Sequence, residues 1–180
     1  MIPFYKRMDH LVVVNPSFID QLVAYGIPRS KITYIPNFVD DAKFHPVDEL
    51  EKRRLKTKWG IAQQRFVVVG SGQIQERKGV FDFIQLAEQN PDVQFIWAGG
   101  FSFGRITDGY AALKKIVDNP PANLKFPGIV SRQEIAELDN IADLFLLPSY
   151  NELFPMSVLE AFLQPHRLTP KVQQNWSFPL

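Results

Sequence analysis

Two glutamates, Glu152 and Glu160, stand seven residues apart in the stretch Leu144-Phe-Leu-Leu-Pro-Ser-Tyr-Asn-Glu-Leu-Phe-Pro-Met-Ser-Val-Leu-Glu-Ala161. Read locally, the stretch is a buried strand, a turn and a helix start. A carboxylate accepts hydrogen bonds from neighbouring hydroxyls, so acids placed this way could hold a sugar. A second cluster lies earlier, in the loop Gly70-Ser-Gly-Gln-Ile-Gln-Glu-Arg-Lys-Gly79, which ends in the cations Arg77 and Lys78 beside a helix start. Backbone N–H groups and the helix dipole favour an anion there, and a diphosphate suits the loop. A dinucleotide fingerprint would need glycine at Gln75, and a Walker loop would need Gly-Lys-Ser/Thr where Lys78 precedes Gly79, so both are disfavoured. Each cluster alone reads better as ordinary surface. Arg77 and Lys78 would be a solvated pair, Glu152 a capping acid and Glu160 an exposed helix acid.

The elements around these residues bring them together. The β-branched run 10–15 predicts a strand, and Asn15-Pro16-Ser17 predicts the start of a helix reaching about Tyr25 and stopping at Gly26. A short strand over 32–35 ends at Pro36, and a turn-rich crossing follows to Pro46. Residues 48–59 form a charged helix stopped by Gly60. From Phe66 the pattern is regular: strands at 66–70, 93–98, 124–126 and 144–147 alternate with helices at 80–88, 110–117, 133–141 and 156–162. Such alternation means parallel βαβ units and a doubly wound sheet. In the strand order 3-2-1-4, the loops carrying Lys78 and Glu152 are neighbours at the switch point, where ligands of open α/β sheets bind.

Composition narrows the function classes. A chain of 180 residues with 46% hydrophobic and 22% charged residues can bury a sizeable core. A net charge of +1 offers no argument for nucleic acid, and the absence of cysteine excludes disulfides and thiolate metal sites. No run approaches the ~18 apolar residues of a membrane span. A cytoplasmic location fits these features. His10, His45 and His166 show no metal-ligand spacing, and no Asp-x-Asp occurs. The basic 48–59 helix would suit an anionic membrane surface, but a solvated helix with internal ion pairs is the plainer reading. Trp97 ends a strand and reads as core rather than a stacking platform. The loop Phe101-Ser-Phe-Gly-Arg105 exposes aromatics near a strand end.

Taken in order, these segments resemble the retaining glycosyltransferases of family 4, which have the GT-B fold of two facing Rossmann-like domains. Asp9-His-Leu-Val-Val-Val-Asn15 is similar to a late strand of that family's N-terminal domain. Ile35-Pro-Asn-Phe-Val-Asp40 is similar to its Pro-Asn-Gly-Val-Asp crossing, with Phe38 where glycine is usual. Gly72-Gln-Ile-Gln-Glu-Arg-Lys-Gly79 matches its Gly-Arg-Leu-x-x-x-Lys-Gly loop, with Gln73 in place of the arginine. The 152–161 segment matches its Glu-x7-Glu signature.

The resemblance implies an α/β fold with an incomplete Rossmann-like donor domain over 47–163. Residues 1–46 would be a remnant of the N-terminal domain and its crossing, and 164–180 an atypical tail. It implies hexosyl transfer from a nucleoside-diphosphate sugar, a UDP-hexose, to a hydroxyl of a sugar or glycolipid. No further cofactor and no metal are implied. Lys78 and Glu152 would be catalytic, at the diphosphate and the donor sugar. Gly72, Gln73 and Arg77 would complete the phosphate loop, with Arg77 standing in for the missing arginine. Phe154, Pro155, Met156 and Ser157 would offer backbone N–H groups, Glu160 would bind ribose, and Ile129 and Val130 would lie against the base. The full-length enzyme would touch a membrane peripherally. The family's acceptor domain and closing elements are not recognisable here. The chain therefore reads as an internal fragment with an unrelated tail, expected to be inactive alone. A non-catalytic nucleotide-sugar binding remnant and a flavodoxin-like interaction domain are the alternatives.

Overall fold

The computed structural model describes residues 2–150, 152 and 155–163, which divide into two compact units. The smaller holds helix α1 (Ile2–Lys6), strand β1 (Leu11–Val13), helix α2 (Ser17–Ala24) and strand β2 (Ile32–Tyr34). β1 and β2 pair in parallel, Leu11 opposite Ile32 and Val13 opposite Tyr34, as a short βαβ unit requires. The Asn15 side chain accepts from the Ser17 N–H at 3.0 Å and from its hydroxyl at 2.9 Å, turning the chain into α2. Val13, Ile27 and Ile32 form a small core under Phe18 and Leu22. A cavity of about 390 Å³, lined by Leu11, Val13, Phe18 and Tyr25 among others, opens beside this core. Helix α1 was not expected from the sequence, because five residues are too few to show a period.

The larger unit begins with helix α3 (Glu49–Lys58), whose cap is Asp48, accepting from Glu51 N–H at 2.8 Å. The sequence then alternates as expected. Strands β3 (Val67–Ser71), β4 (Gln94–Ala98), β5 (Leu124–Gly128) and β6 (Leu144–Phe145) alternate with helices α4 (Val80–Gln89), α5 (Tyr110–Asp118), α6 (Arg132–Ile141) and α7 (Met156–Phe162). All strand pairs are parallel and the spatial order is β5-β4-β3-β6, the 3-2-1-4 order expected. β6 pairs with β3 on one side, Val68 opposite Leu144, and has no second partner among the described residues. The 164–180 tail lies outside the described residues.

Alternation of side chains along the strands divides the core into two faces. Val67, Val69, Ile96 and Phe145 pack with Leu55, Leu138, Ile141 and Val158 from α3, α6 and α7. Val68, Phe95 and Trp97 pack with Phe83, Ile84 and Leu113 from α4 and α5. Phe83 meets the edges of Phe95 and Trp97, with ring centroids 5.3 and 5.0 Å away. Burying one such ring is worth about 1.5–3 kcal/mol. Trp97 is fully buried and donates to the Gly72 carbonyl at 3.1 Å, so it is core, as its place in the strand suggested.

Helix α3 departs from the expectation of internal ion pairs. Lys56 is buried and donates to the carbonyls of Gln63 (3.1 Å) and Arg65 (2.9 Å). Lys58 pairs with Glu137 of α6 at 2.6 Å, and Lys52 reaches Asp143 at 3.4 Å. The Arg54–Glu51 pair, at 3.5 Å, does lie within the helix. The lysines instead tie α3 to the loop that follows it, to α6 and to Asp143 ahead of β6, and the buried ammonium of Lys56 in particular needs its oxygen partners.

Candidate functional site

The carboxyl ends of β3 and β6 carry the loops that matter most. After Ser71 the chain makes a turn, a short 3-10 segment at Glu76–Lys78 and then α4, with Gly79 between them. Gly79 has φ +69°, and a Cβ on it would overlap the Pro148 carbonyl in the β6 loop. The same two loops are joined by a hydrogen bond from Tyr150 N–H to the Arg77 carbonyl, 3.0 Å. Glycine is thus required for both the left-handed backbone and the close approach. A second such approach holds the β4 loop, where a Cβ on Gly99 (φ +148°) would overlap Gly72 O.

This stitching brings Lys78 and Glu152 together. The Lys78 ammonium donates to Glu152 Oε1 and the two form an ion pair, with side chains 13% and 18% exposed. Lys78 is therefore not a solvated surface cation. Arg77 is exposed on the same turn. Gln73, at the arginine position, accepts from Gln75 at 2.6 Å and is half-buried beside Gly72. The first turn of α4 already has an acid, Asp82, which accepts from the Tyr150 hydroxyl at 2.7 Å. That carboxylate holds the Tyr150 phenol above its ordinary value.

A second pair involves the other glutamate. Glu160 is 3% exposed, not the surface acid that its helical place alone suggests, and its Oε1 lies 2.5 Å from Arg132 Nη1. Arg132 opens α6 directly after a capping box formed by Ser131 and Glu134. Its guanidinium also stacks over the Phe44 ring, 4.9 Å from the centroid. Asp139, on α6, is 1% exposed, with no hydrogen-bond partner for either oxygen among the described residues. Burial pushes the Asp139 carboxyl well above its ordinary value, the Glu160 carboxylate raises it further, and Arg132 opposes the shift. Neither Arg132 nor Asp139 was expected from the sequence. Their seven-residue spacing sets both on one helix face, the one signal in the sequence that points to them.

The remaining expected residues lie in the loop after β5 and at the approach to α7. Ile129 is exposed and lies against Gly100, while Val130 packs on the core. Gly128 accepts from Gly99 N–H at 2.8 Å, tying that loop to the β4 loop. Pro155, Met156 and Ser157 are half-buried. Phe154 lies outside the described residues. Ser149, buried in the β6 loop, has an unpartnered hydroxyl among the described residues and is a further polar group that the sequence did not single out. The described residues contain no group of three or more acids or histidines placed to hold a metal ion, and no helix long and apolar enough to cross a membrane.

Residues 51–163 match the family model described as Glycosyl transferases group 1, and residues 1–43 match Glycosyltransferase Family 4. The chain belongs to the group 1 glycosyl transferases. Among relatives of this group 1 chain, an alpha-galactosylglucosyldiacylglycerol synthase of Streptococcus pneumoniae is 63% identical over 158 residues, covering 88% of the chain and 42% of the relative. A processive diacylglycerol alpha-glucosyltransferase of Acholeplasma laidlawii is 29% identical over 168 residues, covering 87% and 48%. The chain thus spans about half the length of the curated relatives it matches. The Anabaena protein HepE, crystallised with UDP and glucose, superposes with a TM-score of 0.74 at 22% identity, over 90% of this chain and 44% of that one. The parallel α/β fold is that of GT-B glycosyltransferases.

Proposed function

We propose that this chain is the donor-binding part of a retaining family 4 glycosyltransferase that moves a hexose from a UDP-hexose to a hydroxyl of a glycolipid. Residues 47–163 form the donor domain, and 1–46 end the acceptor-side domain and cross over. The observation that carries this reading is the Lys78–Glu152 pair, built from two loops that a Rossmann-like sheet makes adjacent at its switch point. The resemblance of both loops to the family's motifs supports it, as do relatives named as an alpha-galactosylglucosyldiacylglycerol synthase and a processive diacylglycerol alpha-glucosyltransferase.

Transfer with a diphosphate leaving group needs stabilisation of the charge that develops on the phosphate oxygens. Preorganised cations and N–H groups are usually the largest single contribution. Lys78 supplies the cation, Arg77 a second on the same turn, and the first N–H groups of α4 the dipole. Glu152 holds Lys78 in place until a diphosphate takes the ammonium, which frees the carboxylate to accept from hydroxyls of the donor sugar. Glu160 accepts from the ribose hydroxyls, and the loop of Ile129 and Val130 borders the base. Pro155, Met156 and Ser157 lead into α7, with N–H groups of Met156 and Ser157 available to the sugar and distal phosphate.

Titration of UDP against the chain tests the reading. Saturable binding that Lys78→Ala weakens is the expected result. Equal affinity in both proteins would remove Lys78 from the site, and no UDP binding at all would favour an interaction domain without nucleotide.

A further inference from the structure

Tyr150 stands two residues before Glu152 in the chain. Two residues span at most about 7 Å, so fixing the one constrains the other. Tyr150 is 63% exposed, and burial does little to hold it. Two directed hydrogen bonds hold it instead. At its root, the N–H donates to the Arg77 carbonyl at 3.0 Å. At its tip, the hydroxyl donates to Asp82 Oδ2 at 2.7 Å. Arg77 precedes Lys78 in the 3-10 turn, and Asp82 lies in the first turn of α4. One tyrosine thus spans the lysine turn and the helix that follows it.

The loop that carries Glu152 meets the lysine turn at successive places. The Pro148 carbonyl faces Gly79, the Tyr150 N–H follows, and the Lys78–Glu152 ion pair closes the series. Ser149 adds no anchor, since its hydroxyl has no partner among the described residues. The ion pair is the contact that a diphosphate must break. Once Lys78 turns to phosphate, Glu152 loses that partner, and its carboxylate needs another constraint to stay at the sugar. The Tyr150–Asp82 bond persists through the exchange, because neither group takes up ligand. Its acceptor is a carboxylate, so the bond is charge-assisted. A carboxylate in the first turn of a helix is also favoured by the dipole, so the tyrosine ends on a fixed support.

Resting on the donor reading above, we propose that Tyr150 is a positioning residue for Glu152: its hydroxyl, bonded to Asp82, and its N–H, bonded to Arg77, keep the Glu152 loop against the Lys78 turn while the ion pair is exchanged for a donor diphosphate. Tyr150 touches no donor atom in this role. UDP alone needs the phosphate turn, whereas the hexose needs Glu152 in place as well. Loss of the tyrosine hydroxyl therefore reduces what the hexose adds to binding and spares what UDP contributes.

The test uses the full chain with UDP, UDP-glucose and UDP-galactose as probes. It follows the ratio of UDP-hexose to UDP affinity, for whichever hexose binds more tightly. Glu152→Gln shows how far the ratio falls when the carboxylate is lost. Tyr150→Phe, which removes the hydroxyl alone, should lower the ratio roughly threefold or more, as loss of one hydrogen bond implies, and leave UDP affinity at the wild-type level or above it. Asp82→Ala should lower the ratio equally. Asp82→Asn, which keeps an acceptor for the hydroxyl, should restore it. A change that both Asp82 variants share reports the lost charge rather than the bond.

A ligand-free arm measures urea unfolding, with Lys78→Ala added to each of these backgrounds. An unpaired Glu152 held in its largely buried place is costly, and one whose loop is released can reach water. Removing Lys78 should therefore cost clearly less stability in Tyr150→Phe and Asp82→Ala than in wild type and Asp82→Asn. Equal losses in all backgrounds would overturn the proposal. So would a ratio that Glu152→Gln lowers and Tyr150→Phe leaves unchanged. A ratio that Glu152→Gln leaves unchanged, or no binding of UDP at all, would instead sink the donor reading, and the urea comparison would still decide whether Tyr150 positions Glu152.

Discussion

Lys78 and Glu152 are 74 residues apart in the chain and form an ion pair at the carboxyl ends of adjacent strands. Each belongs to a different loop, and Gly79 lets those loops touch. The cation expected to hold a diphosphate is therefore already satisfied by the acid expected at the donor sugar. A ligand must exchange with Glu152 rather than fill an empty position, so binding energy is a difference between two charge-assisted contacts.

Removing the lysine separates these contributions. Lys78→Ala should weaken UDP binding by about 1.5–3 kcal/mol, roughly tenfold to a hundredfold, as read by calorimetry. It should also lower stability to urea, since Glu152 loses its partner in a largely buried place. Lys78→Met with Glu152→Gln should recover part of that stability without recovering binding. Unchanged UDP affinity in Lys78→Ala would exclude the exchange.

Glu160 offers a sharper chemical test, because a ribose presents two hydroxyls to one carboxylate. Wild-type protein should bind UDP more tightly than 2′-deoxy-UDP by a few-fold or more, consistent with about 0.5–1.5 kcal/mol for one hydrogen bond. Glu160→Gln should bind both alike. Competition titrations measure the ratio, and a ratio of one in the wild type would leave Glu160 as the structural partner of Arg132.

Asp139 predicts a pH dependence of stability with a definite sign. Its folded-state value lies above the unfolded one, so the native state binds more protons than the unfolded state once pH exceeds the ordinary aspartate value near 3.9. Stability is then greatest, as far as this group is concerned, below about pH 3.9, and it declines as pH rises through the raised value. Asp139→Asn lacks this decline. Urea unfolding at several pH values should show the variant gaining on wild type as pH rises, with a constant difference under strongly acid conditions. A difference independent of pH would show that Asp139 titrates normally in the folded protein.

Two glycines distinguish backbone strain from steric overlap. Gly104 has φ +54° with open space where a methyl group would stand, whereas Gly79 has φ +69° and faces the Pro148 carbonyl. Gly104→Ala should cost about 1 kcal/mol, the penalty of a left-handed alanine. Gly79→Ala should cost roughly 2 kcal/mol or more and also weaken UDP binding, because it separates the loops of Lys78 and Glu152. Thermal unfolding and UDP titration of both variants give the comparison, and equal effects would mean that the Pro148 contact is not limiting.

Local patterns determined a great deal about this protein. Apolar runs of four to six residues followed by periodic helices are visible in one dimension, and parallel βαβ units follow from their alternation. The order β5-β4-β3-β6 and the adjacency of the two candidate loops came from the same rhythm. Lys78, Glu152 and Glu160 stood out as candidates because their segments resemble family motifs at fixed spacing. What stayed invisible depends on contacts between distant segments. Lys56 reads as one more charge on a basic helix, yet it is buried against carbonyls that the next turn supplies. Glu160 reads as a surface acid in a helix, yet only the packing of α7 on α6 gives it Arg132 as a partner and Asp139 as a neighbour. Composition and spacing state which charges a chain has. Tertiary structure alone decides which of them lose water, and loss of water sets the partners, the protonation and the chemistry.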